Sequence, residues 1–381
     1  MSHASTLTLE PTPPGRLISL DAFRGLTIAG MILVNNPGDW GHVYPPLRHA
    51  EWHGWTPTDL VFPSFLFIVG VAIPLSLGKR IERGDSPAAL FGKVLRRSLI
   101  IVALGLFLNG FPFEKPMAIL RFPGVLQRIG LCYLAASVLF LKTRTWIQVL
   151  VTAGLLWGYW AVLQLPGGES GVGSGDLSRQ YSLPSWVDRW LMPGHIYKPE
   201  YDPEGLLSTL PALATTLIGV LSGVWLSGRR PVGERVAGLF AAGALAMVLG
   251  WFWGGYFPIN KALWTSSFVL WSAGLSLQIL GLCAFLIEVL GVRRWAWPFL
   301  VFGSNAIAAY VLSGIFGRVL TMITLSEPNG GTVTLRGRLY REGFSLWFDP
   351  TLASLLWSLS YVLLWLAVMA ILYRLRWFIR V

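Results

Sequence analysis

Residues 57–80 read PTDLVFPSFLFIVGVAIPLSLGKR. Between Asp59 and Lys79 the run carries no charge. It is also long enough for a membrane, since a hydrocarbon core about 30 Å thick needs roughly 20 apolar helical residues. Apolar and polar positions do not alternate as in a barrel strand, so the expected element is a helix, which satisfies its own backbone. Lys79, Arg80 and Arg83, immediately after it, mark a membrane exit.

Further runs of this kind lie on either side, giving about ten in all: 17–36, 57–77, 97–112, 124–141, 146–165, 206–226, 236–256, 264–290, 297–321 and 350–373. The chain is 54% hydrophobic and 13% charged, whereas soluble domains carry about 25% charged residues. The fold class expected is therefore all-α, a polytopic transmembrane helical bundle. The first run holds Asp21 and Arg24 in its core and no small-residue cleavage site follows, so it reads as a helix rather than a cleaved leader. Residues 1–16 are then a cytoplasmic tail and 17–381 a single transmembrane domain, with a polar extracytoplasmic insert at about 166–205. Trp186 and Trp190 in that insert have helical spacing and predict a short helix on the membrane surface.

Orientation follows from Lys and Arg in the connections. Placing the loop at 78–97 in the cytoplasm puts 17 of the 30 Lys/Arg in inside segments, Arg16 and Arg380 among them. The longer outside connections hold 10, including Arg336, Arg338 and Arg341 in the awkward segment LRGRLYREGF. Both termini are expected in the cytoplasm. In a soluble chain the net charge of +11 would suggest nucleic acid; here it is the basic collar of a membrane protein, and no nucleic-acid partner is expected. Cys132 and Cys283 fall inside apolar runs and offer neither a disulfide framework nor a metal spacing. The two halves show no inverted repeat of the transporter kind.

An ionisable group inside a span costs about 2.5–3.5 kcal/mol at mid-bilayer. Asp21, Arg24, Asp59, Arg128, Glu288 and Arg318 therefore ask for reasons. Asp21 and Arg24, three apart, can pair with each other, and Glu288 and Arg318 lie near segment ends, where they can snorkel. Asp59 and Arg128 fall about one turn in from the outer face, predicting a buried pair or a polar pocket there. Asn35, Asn36, Asp202, Glu204, Asn260 and Lys261 reach the same face, and Asn305 sits mid-way along the ninth run. Each alone also fits a helix cap or a loop; together they describe a cavity opening outward.

Three of the five histidines, His42, His49 and His53, fall in the short polar break before residue 57. His49 there can be a general base, a nucleophile, a metal ligand or an interfacial ring without a role. The spacing HAEWH departs from the His-Glu-x-x-His of zinc helices, so no metal is expected.

Six stretches resemble the heparan-alpha-glucosaminide N-acetyltransferase family of transmembrane acyltransferases, bacterial members included. They are SLDAFRGLTIAGMILVNNPG, LRHAEWHGWTPTDLVFPSFLFIVG, RFPGVLQRIGLCYL, YDPEGLLSTLPA, FPINKALWTSSFVL and FGSNAIAAY, in order between about residues 16 and 315. The resemblance implies transfer of an acetyl group from cytoplasmic acetyl-CoA to the amine of glucosamine, or of a glucosamine-terminated sugar, across the membrane. It implies a catalytic histidine at His49 and a role for Asn35 in holding the acetyl group. Where the family pattern usually has Asn, this sequence has His53, which bears on acceptor recognition. The lumenal N-terminal domain of animal members is expected to have no counterpart here. The resemblance also implies a bacterial cytoplasmic membrane location, with homodimerisation left open.

On this reading Asp59 orients His49 or meets the acceptor's ammonium, completing a catalytic set of His49, Asn35 and Asp59. Arg24, Lys93, Arg96 and Arg97 are candidates for the cofactor's phosphates, with Asn305 also assigned to the cofactor. Trp52, His53, Arg128, Asp202, Glu204, Asn260, Lys261 and Trp264 are assigned to the acceptor or the pocket mouth, since carboxylates and aromatic faces suit a sugar amine. Two other functions fit the same polar cavity: a permease for amino sugars or cell-wall fragments, and an envelope polysaccharide O-acetyltransferase.

Overall fold

The computed structural model describes residues 17–114, 116–165, 175–327 and 331–379. The expected tail 1–16 with Arg16, residues 166–174 of the insert, and Arg380 lie outside the described residues. In chain order the helices are α1 (Ile18–Asn35), α2 (Val61–Ile73), α3 (Lys79–Glu82), α4 (Pro87–Gly110), α5 (Val125–Lys142), α6 (Thr145–Leu163) and α7 (Leu183–Leu191). They continue as α8 (Thr209–Leu226), α9 (Val232–Gly254), α10 (Ser266–Ala284), α11 (Trp297–Ser304), α12 (Ala306–Met322), α13 (Leu335–Tyr340) and α14 (Pro350–Arg374). One small antiparallel hairpin, Thr324–Ser326 with Thr332–Thr334, joins α12 to α13. The chain is all-α and polytopic, as expected.

Among the described residues eight helices are long and apolar enough to cross a membrane, and α11 with α12, a pair bent by 72°, brings the number to nine if the two form one broken span rather than a re-entrant loop. The remaining expected run belongs to α4, which begins at Pro87 rather than at residue 97. Ser86 caps it by accepting from Ala89 N, and Leu90, Val94, Ser98, Ile101, Gly105 and Leu108 form its buried stripe. Lys93, Arg96 and Arg97 therefore ride on a helix and not in a loop. The ninth run is likewise not one straight rod, because the chain breaks at Asn305. In the insert, α7 is the short helix foreseen around Trp186 and Trp190, whose rings stack 6.0 Å apart.

Lipid offers little hydrophobic reason for apolar helices to associate, so contact depends on close packing at small residues. Between α2 and α8 the backbones touch: a Cβ at Gly70 would fall 2.0 Å from Thr216 O, and one at Gly219 2.1 Å from Phe67 O. Among the candidate spans α6, α9 and α14 are the least buried, with only 22–28% of their apolar windows inside. Their exposed faces carry Leu150, Trp157, Leu245, Trp251, Leu363 and Ile371, an apolar surface suited to lipid.

Candidate active site

A cavity of about 640 Å³ opens where the ends of α1, α4, α5 and α12 meet the loops at 36–60, 111–124, 197–204 and 255–265. His49, Asp59 and Lys261 form a polar cluster in its wall. Asp59 enters the first turn of the second span through a capping box: its Oδ2 accepts from Thr56 N at 3.0 Å, while Thr56 caps in return. The same oxygen accepts from Ala50 N at 3.0 Å and from Thr56 Oγ1 at 3.1 Å. Those donors saturate one carboxylate oxygen and leave Oδ1 for His49 Nδ1, 2.6 Å away. An ionised carboxylate only accepts, so the proton in that bond belongs to Nδ1. The ring's other nitrogen, Nε2, is then the basic one, on a side chain 51% exposed whose partner Asp59 is 2% exposed.

Lys261 arrives from a distant loop because that loop is stitched to the histidine segment. Gly54 N donates to Ile259 O at 2.7 Å and pairs with Asn260 in a parallel bridge. Gly54 has φ +94°, a left-handed turn that glycine adopts without strain. Lys261 Nζ lies 3.4 Å from Asp59 Oδ1 and 3.1 Å from His49 Nδ1. Burial pushes the Lys261 ammonium below the ordinary lysine range, against the pull of Asp59 and Glu204.

A second part of the wall is built on Arg121. Its Nε and Nη2 bind Asp202 at 2.8 and 2.6 Å as a two-point clasp, and Nη2 also reaches Glu204 Oε2 at 2.5 Å. Burial works against this cation, but the bonds to Asp202 and Glu204 outweigh it and hold its pKa above the ordinary arginine value. Trp52 meets Tyr201 edge-on at 5.1 Å and donates from Nε1 to Leu177 O at 2.7 Å. With Tyr197 under the Arg121 guanidinium at 4.8 Å, this gives the mouth an aromatic lip.

Residues 16–251 match the family model described as heparan-alpha-glucosaminide N-acetyltransferase, catalytic. The chain belongs to that family. It is 30% identical over 370 residues to the human heparan-alpha-glucosaminide N-acetyltransferase, covering 82% of this chain and 54% of that protein. Against the protein of the same name from Mus musculus it is 30% identical over 354 residues, covering 78% and 53%. The chain thus spans about half the length of the curated relatives it matches. Family membership and the apolar spans together make it a multi-pass membrane protein.

Seven of the residues expected around the cavity in this family member's sequence share its wall: Asn35, Asn36, His49, Trp52, Asp59, Glu204 and Lys261. Asp59 and Arg128 come to the same end of the bundle but not to each other. Arg128 is 1% exposed, donates to Gly205 O at 2.9 Å and lies 5.0 Å over the ring of Trp264. Trp264 is wholly buried and donates from its indole to Thr215 Oγ1, so this pair stands behind the wall. Asp202 lies behind Arg121, where its carboxylate also accepts from the amides of Tyr197 and Glu204. Asn260 is fully buried, its Oδ1 taken by Leu263 N, with its Nδ2 3.4 Å from His53 Nδ1. Burial pushes the His53 imidazole below the ordinary histidine range.

The residues assigned to the cofactor are not part of this wall. Arg24 pairs with Asp21 at 3.0 Å, Lys93 reaches Asp85 at 3.4 Å, Arg97 lies 4.9 Å over Tyr133, and Arg96 is exposed. Asn305 holds a different segment, donating to Trp377 O at 3.0 Å and accepting from Ile379 N at 2.8 Å. Conversely, Arg121, Gln127, Tyr197, Tyr201, Tyr310, Arg318 and Arg336 line the cavity without having been singled out for it. The stretch RFPGVLQRIG contains both Arg121 and Gln127, so the signal was present, but the intramembrane charge of Arg128 drew the choice. Among the described residues no cluster of His, Cys, Asp or Glu could hold a metal ion.

Proposed function

We propose that this chain transfers an acetyl group from acetyl-CoA to the amine of glucosamine or of a glucosamine-terminated sugar, with His49 as general base. The observation that carries the reading is the 2.6 Å bond from His49 Nδ1 to the buried Asp59 in the wall of a cavity. That bond orients the imidazole and leaves Nε2 able to accept a proton, the service an attacking amine requires. The nitrogen attacks the thioester carbonyl carbon as Nε2 takes its proton. A C–N bond forms, the C–S bond breaks, and the sulfur leaves as thiolate and takes up the proton, giving amide and CoA thiol. Negative charge that develops on the thioester oxygen is met by the Asn35 side-chain amide. Glu204, paired with Arg121 in the cavity wall, and the aromatic lip of Trp52, Tyr197 and Tyr201 suit an amino sugar. The basic end of the bundle, with Arg24, Lys93, Arg96 and Arg97, suits the phosphates of a donor entering from the other side.

The test uses purified protein in lipid nanodiscs with acetyl-CoA and glucosamine, read by mass and by alkaline stability of the product. An alkali-stable N-acetyl product, lost in His49→Ala with the melting midpoint unchanged, is expected. An alkali-labile ester would make it an O-acetyltransferase. Sugar uptake into vesicles without acetyl-CoA, and no acetylated product, would make it a permease.

A further inference from the structure

One polar group in the cavity is left unused by the chemistry proposed at His49. Gln127, in the first turn of α5, lines the cavity and is 6% exposed, yet its Nε2 has no hydrogen-bond partner among the described residues. Two glycines on separate elements make room for this amide. A Cβ at Gly105 on α4 would lie 2.2 Å from Gln127 Oε1, and one at Gly124, just before α5, 2.7 Å from it. Asn109 fixes the approach to Gly124 by donating to the carbonyls of Arg121 and Pro123, each at 2.8 Å. Met31 and Ile32 of α1, Phe62 of α2, Leu108 of α4 and Leu126 of α5 add apolar surface to the cavity wall. Leaving a buried N–H unmade in such surroundings costs about 1–3 kcal/mol, so the position asks for an acceptor brought by a ligand.

We infer that Gln127 Nε2 donates to the amide carbonyl nearest the thioester in the pantetheine arm of the donor, an inference that rests on the acetyl-CoA reading above. Apolar surface with one unpartnered neutral donor matches a chain of methylenes and amides. A phosphate would need free cations, whereas the cavity's arginines are committed: Arg121 to Asp202 and Glu204, Arg318 to the carbonyls of Leu108 and Phe111, and Arg336 to that of Pro37; a sugar would need several polar partners at once. Gly105, against which the Gln127 amide packs, lies five residues in from the end of α4 at Gly110, about 7.5 Å of helix, and the first amide of the arm is only two methylenes beyond the sulfur.

Three donors test this with wild-type protein and Gln127→Met: acetyl-CoA, the acetyl thioester of N-acetylcysteamine, and S-pentyl thioacetate, in which methylenes replace the amide. Loss of one neutral hydrogen bond should raise KM roughly three- to tenfold for the first two donors and leave the third within about twofold. Gly105→Ala, which displaces the amide without deleting it, should give the same donor-selective rise and keeps the test decisive if Gln127→Met does not fold. An equal loss across the three donors, or no change for any, overturns the assignment while the acetyltransferase reading stands. If wild-type protein transfers acetyl from none of them, that reading fails and this one with it.

Discussion

Asp59→Asn separates an orienting carboxylate from a merely buried one. Asp59 Oδ2 accepts from Ala50 N and Thr56 N at 3.0 Å each, while Oδ1 faces His49 at 2.6 Å and Lys261 at 3.4 Å. Asparagine has one acceptor end, and the two backbone donors claim it. Its NH2 must then face His49 Nδ1, which can meet it only by giving up its proton, and the neutral ring carries that proton on Nε2 instead. A base whose lone pair points away from the substrate loses the general-base contribution, about 10²–10⁴ in rate, or about 2.7–5.4 kcal/mol of barrier. Release of CoA thiol from acetyl-CoA in the presence of glucosamine is the assay. Expected are comparable losses in kcat for His49→Ala and Asp59→Asn, with the double variant within about threefold of the worse single, because residues acting as a unit are not additive. Asp59→Asn activity within about threefold of wild type, or losses that multiply in the double variant, would refute the tautomer argument.

Burial raises the Asp188 carboxyl to about 6, so its contribution to stability is fully present below about pH 4 and lost as pH rises through about 6, up to about 3 kcal/mol. Asp188→Asn should flatten the melting midpoint across that window, and a slope equal to wild type would count against the assignment. Arg121→Gln strands the Asp202 carboxylate, whose side chain is 0% exposed; a loss of about 3–5 kcal/mol is expected, measured as a lower melting midpoint that Asp202→Asn partly restores. Gly70→Ala drives a methyl into Thr216 O at 2.0 Å and should cost about 1–3 kcal/mol. Gly78→Ala, with nothing within 4 Å, should leave the melt unchanged.

The membrane spans were legible because hydropathy is summed along the chain and needs no knowledge of partners. It misled where apolar and charged stretches share one helix. Lys93, Arg96 and Arg97 made the first half of α4 read as a loop, although the Ser86–Pro87 start was visible and Leu90 and Val94 are its buried side. Asn305 misled in the opposite sense. A polar residue mid-way along an apolar run reads as a ligand-binding group, but its side chain holds residues 377–379 at the bend between α11 and α12.

Within the candidate site, what could not be read was rotation about a helix axis and pairing between distant loops. Gln127 and Arg128 are adjacent, and about 100° of helical turn separates their side chains. That turn aims the neutral amide at the cavity and the guanidinium at Trp264 and Gly205. In the sequence the charge outweighs the amide, so the residue chosen was the one behind the wall. Likewise Asp59 could have taken Arg128 as its cation, and proximity to the same face gave no means of choosing. The choice falls to Lys261 because Gly54 bonds to the loop at Ile259 and Asn260, a contact across some 200 residues that no local pattern records. The His49–Asp59 pair, ten residues apart and set by a capping box, lies within reach of sequence reasoning, whereas the cation beside it does not. The histidine and its carboxylate are thus specified locally, and the cation depends on the fold closing correctly. Unpairing the Gly54 loop should therefore separate Lys261 from Asp59 while the capping box keeps His49 and Asp59 together.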